Sequence, residues 1–414
     1  SGWPLEWTGP NAEKERKAAE EKQAKAVELL SRSETSYTYP VPPLDYQKPI
    51  LAKMLNETAY ALLLEMGLGK TALLIWNFGI LYKLGLVKGV VVVAPNGVHR
   101  QWAEDQIPEH LDPSIEREII VWDKGKKPPK FKRSDKLTIF CINIDSAGAA
   151  TKTRGVAKDK GRTGKGFASI YEFLEVFKGE SFFVLDESHM IKTPDTVRSR
   201  SMQKLGNLAT YRRIATGTPI SKHIGDAWAQ FYFLDPGILK HELFTTFRAE
   251  FCVLGGWDNR SIVDSQNIEE FYSRIAPYSS RLTKKEAGGL PEKIYEVVPY
   301  TIGSVTERHY EELKKTYLTQ MENGTIVDAK NATLCLMRLQ QVLSGYLPLE
   351  DGSYEVFSSE RIDKVLNLIS QIDGQVNIWC RFVKDIERLK EAINANFGEC
   401  VSFYGGDDPK ERLH

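Results

Sequence analysis

Residues 62–76 read LLLEMGLGKTALLIW, in which an apolar run meets a glycine-rich turn and a second apolar run follows Lys-Thr. The first run predicts a buried strand and the second a helix. The alternation continues over residues 60–220, where GVVVVAP, LTIFCINID, SFFVLDE and RRIATGTP read as strands between helical segments. Apolar strands that alternate with helices are typical of a parallel sheet covered on both faces. We therefore predict an α/β fold with a doubly wound sheet, whose ligands bind beyond the C-terminal strand ends.

Composition excludes several classes of protein. Among the 414 residues, Lys+Arg and Asp+Glu both total 55, so the formal net charge is zero. A polyanionic partner must then be held by a local basic surface, because no overall field favours it. The five scattered cysteines include no CxxC pair, which indicates neither a disulfide framework nor a zinc site. No apolar stretch is long enough to span a membrane and no signal-peptide pattern opens the chain, so we expect a cytoplasmic protein without a membrane partner.

The pattern divides the chain into four parts. Residues 1–43 read as a solvated helix (11–30) and a Pro-rich linker, and residues 44–221 as the first α/β domain. Residues 222–290 are rich in aromatic side chains and read as a helical insertion. Residues 291–414 restart the α/β rhythm with three predicted strands, EKIYEVVPYTI, QVNIWCRF and CVSFYGG. Because the sequence stops after few strands, we expect the second sheet to be incomplete.

The glycine-rich turn has the chemistry of a phosphate-binding loop. Such a loop needs glycines whose backbone N–H groups wrap phosphate oxygens, a lysine for the β- and γ-phosphates and a hydroxyl for Mg²⁺. These are supplied by Gly67, Gly69, Lys70 and Thr71, and the following helix points its positive end at the phosphates. Leu64 occupies the place of the first glycine of the G-x-x-x-x-G-K-[ST] pattern, so the match is partial. A plain loop between two core elements stays open as the alternative.

A second motif, FFVLDESHMIK, ends an apolar strand in Asp186-Glu187. A carboxylate at a strand tip holds Mg²⁺ in P-loop hydrolases, which would be the role of Asp186. The adjacent Glu187 can orient or deprotonate the attacking water. An acidic turn after a core strand is the ordinary alternative, but it does not predict a phosphate loop upstream. Together the two motifs favour hydrolysis of a nucleoside triphosphate with Mg²⁺.

Seven motifs follow one another in the order of superfamily 2 helicase-like ATPases: LDYQ, EMGLGKT, VVVAPNGVHRQW, LDESHMIK, ATGTPI, WAQFYFLDPGIL and IWCRF. From about Leu44 onward the chain resembles the Swi/Snf type of double-stranded DNA translocase. The resemblance implies two RecA-like motor lobes, the second one incomplete here, with ATP as the nucleotide. The compact form and the Trp of IWCRF resemble phage or bacterial members.

The resemblance also implies roles for individual residues. Gln47 would read the adenine edge. The residues that would bind the nucleotide are Met66, Gly67, Leu68, Gly69, Lys70 and Thr71. The residues that would catalyse hydrolysis are Lys70, Asp186 and Glu187, and Thr71 and Asp186 would bind the metal. Coupling of hydrolysis to DNA falls to His189, Thr216, Gly217 and Thr218.

Positions that face DNA in this family correspond to Pro95, Asn96, Arg100, Asn143, Ser146 and Arg412. We interpret Trp102 as a packing residue rather than a base-stacking one. Two basic segments, residues 123–136 and 151–166, either contact phosphates or are solvated loops, and surface charge alone does not decide between these.

The expected activity is a nucleic-acid-dependent ATPase that moves along duplex DNA without sequence preference, since backbone contacts carry no base information. A strand-separating DNA or RNA helicase and a non-catalytic nucleic-acid-binding scaffold stay open, although intact Lys70, Thr71, Asp186 and Glu187 argue against the scaffold. We expect a monomer in a bacterial or phage-infected cell. The family's late motifs supply an arginine finger, and the sequence reaches His414 before them, so we expect full stimulated turnover to need a further segment.

Overall fold

The computed structural model describes residue 28 and residues 37–148, 164–257, 261–288, 294–322, 329–349 and 351–405. These residues form two compact units, which divide between residues 291 and 292. The helix predicted over 11–30 lies outside the described residues except for Glu28, which is helical and exposed. Within the described part of the chain, no helix has both the length and the apolar composition needed to cross a membrane.

The first unit alternates strands and helices. Its described strands are β1 (Ala59–Leu64), β2 (Gly89–Ala94), β3 (Arg117–Trp122), β4 (Leu137–Asn143), β5 (Ser181–Asp186), β6 (Tyr211–Ala215), β7 (Cys252–Gly255), β8 (Ser261–Ser265) and β9 (Ser279–Leu282). Its described α-helices are α1 (Gln47–Asn56), α2 (Lys70–Lys83), α3 (Val98–Gln101), α4 (Ile107–His110), α5 (Ile144–Ala147), α6 (Lys165–Val176), α7 (Val197–Gly206), α8 (Trp228–Leu234), α9 (Phe244–Phe251), α10 (Ile268–Ile275) and α11 (Lys284–Ala287). A π-helical segment, Trp102–Gln106, joins α3 to α4, and 3₁₀ turns occupy Ser188–Ile191, Ile224–Ala227 and Ala276–Tyr278.

Seven of these strands build one sheet in the order β3-β4-β2-β5-β6-β1-β9. Every neighbouring pair in it is parallel. All side chains of β1, β2, β4 and β5 are buried, whereas the edge strands β3 and β9 are partly exposed. The predicted α/β fold with a parallel sheet is confirmed.

Helices cover both faces of the sheet. Successive side chains of a strand point to opposite faces, and accordingly Val91 and Val93 of β2 lie in one apolar cluster while Val90 and Val92 lie in the other. The first cluster includes side chains of α6, α7 and α8, and the second includes those of α1 and α2. Residues 72–81 of α2 are all buried, as expected of a helix that is apolar around its whole circumference.

Residues 222–290 differ from the predicted helical insertion. They contain α8 to α11, but β9 within them pairs with β1, from Ala61 beside Ser279 to Leu64 beside Leu282. They also contain the antiparallel hairpin β7–β8. The sequence of β9, SSRL, has no apolar run because an edge strand buries only part of its surface. The region therefore completes the sheet of the first unit. The strand β3 was not predicted either, for the same reason.

The second unit is mainly helical in its described residues. It contains α12 (Ser304–Glu322), α13 (Ala329–Leu343), α14 (Glu360–Ile369) and α15 (Val383–Phe397), with one antiparallel pair, β10 (Tyr346–Pro348) and β11 (Tyr354–Val356). The described residues of the three predicted strands, EKIYEVVPYTI, QVNIWCRF and CVSFYGG, do not form strands. A strand is defined by its pairing with a neighbouring strand, and the pairing in the described residues of this unit is that of β10 with β11. Several apolar side chains of the three segments are exposed, with Val297 at 92%, Trp379 at 96% and Phe403 at 75%.

Candidate functional site

The glycine-rich loop lies between β1 and α2, at the carboxyl edge of the sheet. Gly67 and Gly69 have φ angles of 84° and 74°, in the left-handed region that glycine tolerates without steric cost. A Cβ on Gly69 would lie 2.2 Å from the side-chain nitrogen of Gln47. Glycine is thus favoured at residue 69 by its backbone conformation, and a Cβ there would displace the Gln47 amide.

Gln47 ties the LDYQ segment to this loop. Its buried amide donates from Nε2 to the Leu68 carbonyl at 3.3 Å, and its Oε1 accepts from the Leu44 N–H at 2.8 Å. An amide group has a second N–H and further lone pairs, so the adenine contact stays a prediction. Within the loop, Leu68 is buried and Met66 is exposed.

Lys70 opens α2 with its ammonium turned back toward the loop. Its Nζ donates to the carbonyls of Leu64 at 3.0 Å and Glu65 at 3.3 Å. Burial lowers the pKa of Lys70, and the carboxylates of Glu187 and Asp186 act in the opposite direction. Lys70 is therefore electrostatically coupled to the acid pair. The partly buried Thr71 follows it in the first turn of the helix.

The sheet brings three motifs to one edge. β6 lies between β1 and β5, and Leu62, Ala215 and Asp186 stand in one row across these strands. Adjacent strands are about 4.8 Å apart, so roughly 10 Å of sheet separates the strand of the loop from that of the acid pair. The segment Thr216–Thr218, which follows β6, begins between them. A Cβ on Gly217 would lie 3.5 Å from the Leu64 carbonyl oxygen.

Asp186 is buried at the tip of β5 and its carboxylate is fixed by two donors. Oδ2 accepts from the indole Nε1–H of Trp102 at 2.9 Å, and Oδ1 accepts from the Glu187 N–H at 2.9 Å. Burial raises the pKa of Asp186 and the charge of Glu187 adds to the rise, while the Trp102 hydrogen bond and Lys70 oppose it. The carboxylate therefore has a fixed orientation and a cost of ionisation that a bound cation would relieve.

Glu187 has backbone angles of φ 47° and ψ 52°, a left-handed conformation that is uncommon outside glycine and clusters at functional sites. Its Oε2 lies 3.1 Å from Nδ1 of His189 and 3.4 Å from the hydroxyl of Thr216. The same Thr216 hydroxyl lies 3.1 Å from the His189 ring and accepts from the Thr218 N–H at 3.2 Å. The structure thus joins the DESH motif to the TGT motif through three side chains.

The described residues predicted to face DNA lie at or just beyond the ends of β2 and β4, at the same edge of the sheet: Pro95 and Asn96 in the loop after β2, Arg100 in α3, Asn143 at the end of β4 and Ser146 in α5. The guanidinium of Arg100 pairs with Asp123. Asn143 is buried and caps α5 by accepting from the Ser146 N–H at 2.7 Å. These contacts are structural, and DNA contact by Pro95, Asn96, Arg100, Asn143 and Ser146 stays a prediction. Arg412 lies outside the described residues.

The structure describes one of the two basic segments in full and only the end of the other. Residues 149–163, which hold most of the second one, lie outside the described residues. In the first one, Phe131 is buried against Phe140 and Phe173. Arg133 donates to the Val176 carbonyl at 2.8 Å and pairs with Glu180 at 2.9 Å. Residues 123–136 are therefore attached to the core instead of forming a wholly solvated loop.

Two site residues escaped the sequence analysis. Trp102 was interpreted as packing alone, and it is buried, but its indole also binds Asp186. Gln230 of α8 accepts from the Ser188 hydroxyl at 2.7 Å and donates to the Pro219 carbonyl at 2.7 Å, which bridges the segments after β5 and β6. The tryptophan ends the motif VVVAPNGVHRQW and the glutamine lies in WAQFYFLDPGIL, so membership of these motifs is the sequence signal for both.

The arrangement fits a magnesium nucleotide. The loop has a glycine where any Cβ would collide, a lysine directed to its carbonyls and a hydroxyl in the first helical turn. Asp186 is a buried carboxylate whose raised pKa indicates that its negative charge is not fully compensated by the protein. Oxygen ligands of this kind suit Mg²⁺.

Comparison with known proteins gives one family. A family model described as the SNF2-related domain matches residues 23–345. The SNF2 domain-containing protein ENL1 of Oryza sativa subsp. japonica is 27% identical over 232 residues, which are 54% of this chain and 22% of that protein. The DNA repair and recombination protein RAD26 of Saccharomyces cerevisiae is 27% identical over 301 residues, 63% of this chain and 27% of that protein.

A solved structure, the Sulfolobus solfataricus SWI2/SNF2 ATPase core in complex with dsDNA, aligns with 91% of this chain and 75% of its own, at 21% identity and a TM-score of 0.48. The chain spans about a quarter of the length of the curated relatives described above. Those relatives are eukaryotic, so the phage or bacterial origin stays a prediction.

Proposed function

The chain belongs to the SNF2-related domain family, and on that premise we propose that it is an ATP-dependent translocase on double-stranded DNA. It is a DNA-dependent ATPase, a hydrolase whose turnover drives movement along the phosphate backbone. The name of the RAD26 relative, a DNA repair and recombination protein, favours DNA as the polymer. Movement has no sequence preference, because phosphate contacts position a protein without reading bases. The protein acts as a cytoplasmic monomer.

The observation that carries the proposal is the shared edge of the sheet. Three neighbouring strands end at this edge. β1 is followed by the glycine-rich loop, β5 ends at the acid pair and β6 is followed by the TGT segment. Lys70 and the two carboxylates interact electrostatically across this edge. A loop between two core elements, the ordinary alternative, would have no reason to meet a buried carboxylate there.

In the proposed reaction the backbone N–H groups of the loop and the Lys70 ammonium bind the phosphates of ATP. The partly buried position of Lys70 strengthens this attraction, because charges interact more strongly at low effective dielectric. Gln47 contacts the adenine while it holds Leu68. Thr71 and Asp186 would hold Mg²⁺, which neutralises charge on the phosphates when bound. Trp102 fixes the orientation of Asp186.

Glu187 activates the water. The water oxygen attacks the γ-phosphorus, its proton passes to the Glu187 carboxylate, and the β–γ bridging oxygen leaves with the bonding electrons of the broken P–O bond on ADP. His189 and Thr216 hold the carboxylate oxygen that takes this role. Because the same Thr216 hydroxyl contacts the TGT backbone, a change at Glu187 reaches the segment that couples hydrolysis to DNA.

We assign the domains accordingly. The sheet-containing unit is the first motor lobe, RecA-like in its parallel sheet and its loop after β1. The unit that starts near residue 292 is the beginning of the second lobe. Pro95 and Asn96, in the loop after β2, and Asn143, the last residue of β4, face DNA at the carboxyl edge of the sheet. Arg100 contacts phosphate only in competition with Asp123, its present partner.

The test is ATP hydrolysis by the full chain without polymer, with single-stranded DNA, with duplex DNA and with RNA. We expect the largest stimulation by duplex DNA. Glu187→Gln should keep nucleotide binding and lose roughly 10²–10⁴-fold in turnover, as expected for a missing general base. Lys70→Ala should weaken both binding and turnover.

Other outcomes would redirect the assignment. Normal turnover by Glu187→Gln would remove Glu187 from its role. Absence of nucleotide binding in the wild-type chain would leave the non-catalytic scaffold. Separation of a fluorescently labelled duplex during hydrolysis would favour the strand-separating helicase.

A further inference from the structure

Lys284 lies beside the glycine-rich loop although it is 219 residues from Glu65 in sequence. It is the first residue of α11, two residues after the end of β9. β9 pairs in parallel with β1 as far as Leu64 beside Leu282, so the segments that follow these two strands leave the sheet at the same edge. Cε and Nζ of Lys284 lie 3.8 Å from the position of a Cβ on Gly67. The side chain therefore lies beside the glycine turn.

Hydrogen bonds fix this part of the backbone to the loop. The Lys284 N–H donates to Oε2 of Glu65 at 2.8 Å, and the Glu65 N–H donates to the Leu282 carbonyl at 3.0 Å. A capping box starts α11, in which Thr283 and Glu286 exchange hydrogen bonds. These hydrogen bonds thus hold the backbone of Lys284 next to the loop.

The ammonium of Lys284 has neither a carboxylate nor a hydrogen-bond acceptor as partner within the described residues. The side chain is partly buried, and a second cation at this loop is Lys70, whose ammonium donates to the Leu64 and Glu65 carbonyls. Like charges at one glycine turn repel each other. A bound polyanion would convert this repulsion into attraction for both.

We propose that Lys284 is a second phosphate-binding lysine of this site and contacts the polyphosphate chain of a nucleoside di- or triphosphate. The sheet order β5-β6-β1-β9 places Lys284 on one flank of the loop and the acid pair on the other. Phosphate oxygens at Gly67 would then be contacted by Lys70 from the helix and by Lys284 from the β9 side. This assignment rests on the proposed ATPase function, whose nucleotide it contacts.

The test is calorimetric titration of the full chain with ATP's non-hydrolysable imido analogue, with ADP and with AMP, each with Mg²⁺ and without DNA. Lys284→Ala should raise the Kd for the triphosphate roughly tenfold, the value of a hydrogen bond between charged groups. The Kd for AMP should rise less. The adjacent, exposed Lys285 is the matched control, and Lys285→Ala should leave every Kd within about twofold.

Lys284→Arg keeps the positive charge and should retain most of the affinity, which separates lost charge from damage to α11. The inference is overturned alone if the wild-type chain binds the triphosphate and Lys284→Ala binds it as tightly as Lys285→Ala does. It is also overturned if Lys284→Ala weakens only duplex DNA binding. A wild-type chain that binds no nucleotide would overturn the proposed function together with this inference.

Discussion

At the scale of single residues, the indole of Trp102 has a role separate from packing. It donates to the buried carboxylate of Asp186 at 2.9 Å from a position 84 residues earlier in sequence. It also opens the π-helical segment between α3 and α4, and such segments are frequent at functional sites. Trp102 therefore positions the proposed metal ligand.

Trp102→Phe should keep most of the packing and remove this donor. A hydrogen bond to a charged group contributes about 1.5–3 kcal/mol, so we expect roughly tenfold slower ATP hydrolysis or more, with a higher half-saturating Mg²⁺ concentration. Trp122→Phe is the control, because its buried indole donates to the Lys127 carbonyl at 3.2 Å from the edge strand β3. Equal rates in the two variants would leave Trp102 as a packing residue.

The site residues that a sequence motif identifies differ from those that it misses in how far apart their contacts lie along the chain. Gly67, Gly69, Lys70 and Thr71 are close in sequence, so their pattern alone predicts a phosphate loop. The contacts of Trp102 and Lys284 join segments that are far apart in sequence. Only the strand order brings these segments together, and no local pattern contains the strand order.

At the scale of elements, Asp112, just beyond the end of α4, joins α2 to the segment around Thr38. Its carboxylate accepts from the Thr38 N–H at 2.9 Å, pairs with Lys83 of α2 at 2.9 Å and accepts from the Ser114 N–H at 2.9 Å. Burial disfavours its charge, but the Thr38 and Lys83 contacts outweigh burial and lower the pKa of Asp112 to about 2. The Pro-rich segment after residue 37 is thereby attached to the first unit.

The lowered pKa gives a prediction with a definite sign. The stabilisation is complete above the ordinary pKa of 3.8 and is lost as the pH falls through about 2. Asp112→Asn should therefore be less stable by about 2 kcal/mol near neutral pH, and the difference should close across that window. Urea unfolding from acid to neutral pH, followed by circular dichroism, measures it. The exposed Asp105→Asn is the control, and a constant difference for Asp112→Asn would contradict the linkage.

The elements also separate into those that the sequence predicts and those that it does not. The central strands β1, β2, β4 and β5 are buried on both faces, so each appears as a continuous apolar run. The edge strands β3 and β9 are partly exposed and have mixed composition. Conversely, QVNIWCRF has the composition of a strand, but composition does not supply the neighbouring strand that it needs.

At the scale of the whole molecule, positive and negative charges balance, so any binding of the DNA polyanion must depend on where unpaired cations lie. The 55 basic and 55 acidic residues cancel, and many cations already have partners, as Arg133 does in Glu180 and Lys136 in Glu116. Within residues 123–136, Lys130 and Lys132 are exposed and have no ion-pair partner among the described residues. The buried Phe131 between them fixes the segment to the core.

The two unpaired lysines, Lys130 and Lys132, predict how salt affects the binding of duplex DNA. Each phosphate contact that is lost should reduce the slope of log K against log salt concentration by about 0.9. Combined Lys130→Ala and Lys132→Ala should therefore give a shallower slope by up to about twice that value, whereas Lys136→Ala, which removes a paired lysine, should change it little. Fluorescence anisotropy of a labelled duplex over a range of salt concentrations measures the slopes. Identical slopes for the double variant and the wild type would place the DNA contacts elsewhere and leave residues 123–136 a solvated segment anchored by Phe131.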